Sequence, residues 1–63
     1  MTKDQCHINA IVKVTNDQHS LYGAVGQVET MADASCGVNI SGTVNFQEVN
    51  GVFTIAYDDL ELN

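Results

Sequence analysis

Cationic side chains are nearly absent from this chain, which carries only Lys3 and Lys13 against eight aspartates and glutamates in 63 residues. The formal net charge at pH 7 is therefore −6. A protein that binds nucleic acid or an anionic membrane needs cations that replace the counterions of the phosphates. The charge thus argues against direct binding to nucleic acid or lipid. Two interpretations are left: the acids keep a small protein soluble, or they face a partner with a basic surface.

Proline and tryptophan are missing altogether, and no apolar run approaches the ~18 residues of a membrane-spanning helix. Residues 1–6 lack the basic and then apolar order of a signal peptide. These absences predict a cytoplasmic protein, in the host cytoplasm if it is viral, that does not contact a membrane.

The short length predicts one domain, residues 1–63, near the lower limit for a chain that folds without disulfides or metals. Such a domain buries only about 60% of the surface that its unfolded chain exposes. It has little room for a deep substrate cleft. An enzyme of this size would need an oligomer, a cofactor or an exposed site, so we expect a protein without catalytic activity.

Apolar and polar residues alternate along most of the chain, which is the period of half-buried strands. The pattern predicts strands over residues 8–15 and 21–31, with a bulge or a close backbone approach at Gly26. The even positions from Cys36 to Phe46 are apolar or glycine. They fit one long bent strand or two strands that meet at residues 41–42.

Asn50-Gly51 is the strongest local turn signal, because both residues tolerate positive φ. It predicts a type I′ hairpin between strands over residues 46–49 and 52–57. After a break at residues 58–59, Leu60 and Leu62 are expected to return two apolar side chains to the core. No helical period exceeds one turn, so we predict an all-β fold of five short strands in a strongly bent sheet that closes into a barrel.

Two segments carry a family resemblance: L21-Y22-G23-A24-V25-G26-Q27-V28 after the first loop, and D59-L60-E61-L62 at the end. Together with the strand pattern over residues 11–31 and 43–62, the chain resembles the small SH3-like barrels, which include KOW-type domains and the small stromal barrel subunit of photosystem I. The resemblance implies a short 3₁₀ turn before the last strand. Members of that group bind their partners through lysine or arginine side chains, which are nearly absent from this chain. The resemblance therefore implies the barrel fold but not the function of the family.

Metal and thiol chemistry is poorly supported by the residues. Cys6, His7, His19 and Cys36 are the only soft ligands, and their spacing matches no common zinc pattern. Cys36 is in phase with the apolar residues of its strand, so we expect it to be a small buried hydrophobe. A disulfide with Cys6 is not expected in a reducing cytosol. We predict no metal, no cofactor and no catalytic residue.

The candidate binding residues are acids near the chain end and two tyrosines at strand ends. The acids are expected to form one negative rim of the barrel. The tyrosines are either exposed aromatic contacts for a partner or side chains packed at the lip of the barrel. The predicted partner-binding residues are Asp58, Asp59, Glu61, Glu48, Asp33, Tyr57 and Tyr22.

Two classes of function fit these residues. The first is a non-enzymatic module that blocks a basic, nucleic-acid-binding surface of a larger protein, as phage-encoded inhibitors of the anti-CRISPR and anti-restriction type do. Its carboxylates would occupy arginine and lysine sites that otherwise hold phosphates, so the module would mimic nucleic acid. The second is an accessory structural subunit of a larger assembly, as the resemblance to the photosystem I subunit implies. Both a monomer and a homodimer fit the sequence.

Overall fold

A computed structural model describes all 63 residues and contains five strands with two short 3₁₀ turns. The strands are β1 (Ile11–Val14), β2 (Val25–Met31), β3 (Ser35–Val44), β4 (Gln47–Ala56) and β5 (Leu60–Leu62). The 3₁₀ turns span Lys3–Gln5 and Tyr57–Asp59. The predicted all-β class is therefore confirmed, as is the 3₁₀ turn before the last strand. Neither helical segment has the length or apolar character needed to cross a membrane.

All strands belong to one antiparallel sheet with the order β4-β3-β2-β1-β5. The sheet curls so that one face encloses the core, but β4 and β5 do not pair with each other. The expected closure into a barrel is thus not reached. Both β4 and β5 are open edges of the sheet.

The core consists of the inward side chains of all five strands and a few residues from the connecting segments. Except for Tyr57 and Leu60, its members are small or β-branched, which suits a thin, strongly curved sheet. They are Cys6, Ala10, Val12, Val14, Ala24, Val28, Cys36, Val38, Ile40, Ile55, Tyr57 and Leu60. Leu62, which was expected in the core, is half exposed at the end of β5.

The first two strands are shorter than their apolar periods predicted. Residues 8–9 form a turn in which Asn9 has φ 73°, so Ile8 points into solvent although it shares the parity of the core residues. The bulge of β2 lies between Val28 and Thr30. Gly26 instead marks a close approach: a Cβ there would lie 2.8 Å from Cγ1 of Ile40 and would also meet the backbone of β3.

The predicted hairpin turn at Asn50-Gly51 is wrong. Residues 36–44 belong to a single strand, and the two-residue turn is Asn45-Phe46, with φ 52° and 65°. Positive φ at both central residues is the mark of a type I′ turn. Phe46, which the alternation assigned to a strand, therefore occupies the tip of the hairpin.

The long-range register explains why the better local turn sequence lies within β4. The observed pairing places Cys36 opposite Ile55 and Val38 opposite Phe53, so apolar side chains meet on the core face. A turn at residues 50–51 would pair Val49 with Val52. Most of β3 would then lose its pairing with β4. Burial along ten paired residues outweighs a turn preference of about 1 kcal/mol.

Candidate functional site

Tyr57 anchors the segment that carries the terminal acids. Its side chain is only 4% exposed, its hydroxyl donates to the carbonyl of Ala32 at 2.6 Å, and its amide donates to Ala34 at 3.3 Å. Burial raises the pKa of the Tyr57 phenol. The expectation that Tyr57 is an exposed contact for a partner is therefore wrong. Its role is to hold the Tyr57–Asp59 turn against the β2–β3 loop.

We call the surface formed by Asp33, Asp58, Asp59 and Glu61 the acidic end. The hydrogen bonds of Tyr57 bring the loop that contains Asp33 next to the turn that contains Asp58 and Asp59. Glu61 follows on β5. The fold therefore places Asp33, Asp58 and Asp59 on adjoining segments and Glu61 on the strand that follows the turn.

Asp59 has a structural role within the acidic end. Its carboxylate accepts a hydrogen bond from the Asn16 amide at 2.7 Å, and its carbonyl accepts one from the Thr15 amide at 2.8 Å. These bonds tie the turn to the loop after β1. Asp59 is half-buried, whereas Asp58 is exposed and accepts no hydrogen bond from the protein.

Both lysines lie at or beside the acidic end. Lys3 forms an ion pair with Asp33, with 3.0 Å between Nζ and Oδ1, and this hydrogen bond raises the pKa of Lys3. Lys13 lies opposite Glu61 in the β1–β5 pair, so their side chains project from the same face. Because the Asp33 ion pair is exposed, it contributes little stability. Asp58 is the acid of this surface whose carboxylate has no ion pair, no cross-strand cation and no hydrogen bond from the protein.

Glu48 does not belong to the acidic end. It lies near the start of β4, opposite Thr43, whereas Asp58 follows the other end of the same strand. Eight residue steps of extended chain from Glu48 to the end of β4 span about 26 Å. Two other acids lie beside the acidic end: Asp4, which neighbours Lys3, and Asp17, which neighbours Asn16. The sequence pattern does not predict them, because only the folded chain brings these segments to the acidic end.

Tyr22 is half exposed, as predicted, and lines a shallow groove of about 330 Å³. Residues 22–25 form one wall of the groove and residues 40–45 of β3 and its turn form the other. The side-chain amide of Asn45 donates to the carbonyl of Ser20 at 3.0 Å and so joins the two walls at the hairpin tip. A second hollow of about 350 Å³ lies between the N-terminal segment and β5, beside Glu61.

Phe46 and Val52 are exposed apolar residues that the sequence analysis did not single out. Phe46 is fully exposed at the hairpin tip, and Val52 is 53% exposed on the outer face of β4. Their positions depend on the turn at residues 45–46. No local signal could identify them, since the alternation assigns Phe46 to the core face.

The cysteines and histidines do not form a common site. Cys6 and Cys36 are buried and free, and burial together with the neighbouring Cys6 raises the pKa of the Cys36 thiol to about 11. Cys36 is therefore the buried hydrophobe that the sequence predicted, and it is protonated at neutral pH. His7 is exposed, while Nδ1 of His19 accepts the Leu21 amide at 3.0 Å. No three side chains of the metal-binding types come together.

No protein-family model matches the chain, and neither a curated protein nor a solved structure matches it.

Proposed function

We propose that the protein is a non-enzymatic binding module whose acidic end occupies a basic surface of a larger protein. The observation that carries this proposal is the exposed Asp58 carboxylate, which has no partner in the chain and is held on a turn that the buried Tyr57 anchors. A rigid turn lowers the entropic cost of presenting charge to a partner.

The mechanism follows from the chemistry of carboxylates and from the net charge of −6. Arginine and lysine side chains that hold phosphates also form charge-assisted hydrogen bonds with carboxylates. Opposite charges attract before contact, so they accelerate association and make it sensitive to salt. The acidic end would thus compete with nucleic acid for the same cations.

This mechanism is that of a phage-type inhibitor of the anti-CRISPR or anti-restriction kind, acting as a nucleic-acid mimic in the host cytoplasm. The small size and the sparse cations support this specific form. A short chain can be made quickly and can cover one channel without a catalytic site of its own.

The test is affinity capture from a lysate with wild-type protein, an Asp58→Lys variant and a Glu48→Lys variant. Both variants change the net charge equally, but Glu48 lies near the opposite end of β4. We expect Asp58→Lys to weaken capture by roughly tenfold, while Glu48→Lys retains it. Bound partners should be released by added double-stranded DNA or RNA and by salt above physiological strength, because the Debye length is then below ~8 Å.

Equal loss in both variants would mean that net charge alone governs capture, and the acidic end would have no specific role. Partners that resist both competing nucleic acid and salt would contradict the mimic mechanism. Circular dichroism of each variant establishes that the fold is retained.

The alternative is an accessory subunit of a larger assembly, as the SH3-like resemblance implies. The open β4 edge and the exposed Phe46 favour it, because such features bind through backbone pairing and apolar contact. Capture through this surface would respond weakly to salt. It would be lost on Phe46→Ser and unchanged on Asp58→Lys, which is the opposite pattern to that expected for the acidic end.

A further inference from the structure

The outer edge of β4 is the longest unpaired backbone in the protein. The strand spans ten residues, Gln47–Ala56, and pairs only with β3. No hydrogen bond to a loop, a turn or a side chain covers any of these residues. In an antiparallel pair, alternate residues direct their N–H and C=O groups away from the partner. About half of the backbone groups of β4 therefore point outward along one continuous edge.

This edge lacks the devices that usually protect a sheet from pairing with another chain. Natural edge strands are commonly short, carry lysine or proline, or contain a bulge. β4 has no lysine and no proline, and its register with β3 is continuous from Ser35–Ala56 to Val44–Gln47. Its only charged residue is Glu48, near one end. By contrast β5, the other edge, has three residues.

We propose that β4 pairs antiparallel with β4 of a second copy, around a two-fold axis at Val52, to form a continuous ten-stranded sheet. This inference goes beyond the proposed function, because it concerns a different surface and a different partner. A two-fold axis perpendicular to the sheet keeps the same face of both copies on the same side, so each residue meets one of its own parity. The pairing therefore continues the core face of one sheet into the core face of the next.

The residues of β4 are complementary to themselves in this register. Val52, 53% exposed, lies opposite Val52 of the second copy, so the two side chains cover each other. Asn50 meets Thr54, and Glu48 meets Ala56, so no like charges stand directly opposite each other. Cross-strand contact between β-branched side chains is among the favourable pairs in sheets.

The antiparallel arrangement also reconciles pairing with the net charge of −6 per chain. Three of the eight acids lie beyond the Ala56 end of β4: Asp58 and Asp59 on the turn and Glu61 on β5. Because the two paired β4 strands run in opposite directions, the acidic ends of the two copies lie at opposite ends of the dimer. The dimer would therefore present two acidic ends, one at each extremity of the extended sheet.

The experiment measures the mass of the protein by sedimentation equilibrium from about 1 µM to about 1 mM, a range that covers weak to moderate complexes. Three variants are compared: Val52→Lys, Val52→Glu and the control Ile11→Lys. Ile11 is similarly exposed, at 44%, but it lies on β1 between two neighbouring strands. We expect a wild-type dimer that Ile11→Lys retains, and at least a roughly tenfold rise in the dissociation constant for either Val52 variant alone, since like charges then meet at the axis.

An equimolar mixture of the Val52→Lys and Val52→Glu chains provides the decisive arm. Opposite charges would meet at the axis, so we expect a mixed dimer, which also proves that both variants fold. A wild-type chain that stays monomeric throughout overturns the proposal and leaves the β4 edge free for a different protein. A dimer that survives both Val52 substitutions, or that Ile11→Lys disrupts instead, places the contact elsewhere and overturns it as well. None of these outcomes depends on Asp58, so they are independent of the test of the acidic end.

Discussion

Replacing Phe46 with glycine should stabilise the protein, although it removes a large apolar side chain. Phe46 is fully exposed, so the substitution uncovers no core surface and leaves no cavity. Its φ of 65° lies in the left-handed region, where a residue with a Cβ is strained and glycine is not. The variant also creates an Asn-Gly pair at the two central positions of the hairpin, which is the preferred sequence of a type I′ turn.

The magnitude follows from two opposing effects. Relief of left-handed strain contributes about 1–2 kcal/mol. The greater conformational freedom of glycine in the unfolded chain costs about 0.5–1 kcal/mol. The free energy of unfolding should therefore rise by about 0.5–1 kcal/mol. If Phe46 were part of the core, the same substitution would instead lower the free energy of unfolding by at least ~3 kcal/mol.

Urea denaturation followed by circular dichroism measures this difference. With a slope near ~1 kcal/mol per molar for a small domain, the midpoint should increase by roughly 0.5–1 M at unchanged slope. An Asn50→Thr variant serves as the control, because Asn50 is an exposed strand residue opposite Ser41 and a β-branched replacement there should be neutral or mildly stabilising. If Phe46→Gly lowered the free energy of unfolding by more than ~1 kcal/mol and Asn50→Thr also destabilised the protein, the turn would lie at residues 50–51. The observed register of β3 with β4 would then be wrong.

Three further predictions concern the core. Tyr57→Phe should lower the free energy of unfolding by about 1 kcal/mol, because it removes the hydroxyl that donates to the carbonyl of Ala32. Chemical denaturation measures this difference. An unchanged midpoint would contradict the anchoring role of Tyr57. Gly26→Ala should lower the free energy of unfolding by at least ~2 kcal/mol, because the added Cβ would collide with β3. A thermal midpoint within roughly 2–3 °C of wild type would refute the close packing of β2 on β3 at this residue. Burial raises the pKa of the Cys36 thiol from 9.0 to about 11, so the contribution of this thiol to stability is constant below pH 9 and is lost, by about 2–3 kcal/mol at most, as the pH rises towards 11. Denaturation under reducing conditions should show this fall in wild type and a smaller one in Cys36→Ala, where the raised pKa values of Tyr57 and of the exposed Lys3 still act in the same direction.

The acidic end shows how far local sequence can locate a site. Asp58 and Asp59 interrupt the alternating pattern of a strand, which locates them after β4, and the SH3-like resemblance predicts the 3₁₀ turn that the structure has there. Their different roles could not be predicted, since the hydrogen bond from Asn16 to Asp59 joins residues 43 positions apart. The sequence pattern places Glu48 on the same rim because a turn at residues 50–51 would shorten the strand that separates it from Asp58.

Composition and period determined the fold class by themselves. Alternating apolar residues with few helix-forming runs can bury one face only as strands, and Val12, Val14, Val38 and Ile40 are buried as their parity requires. The excess of acid is likewise a property of the sequence alone. The tertiary structure decided the register of β3 with β4, and with it the turn at Asn45-Phe46 and the exposure of Phe46. A turn preference acts on two residues, whereas the register is selected by the burial of a whole strand, and so the long-range pairing prevailed.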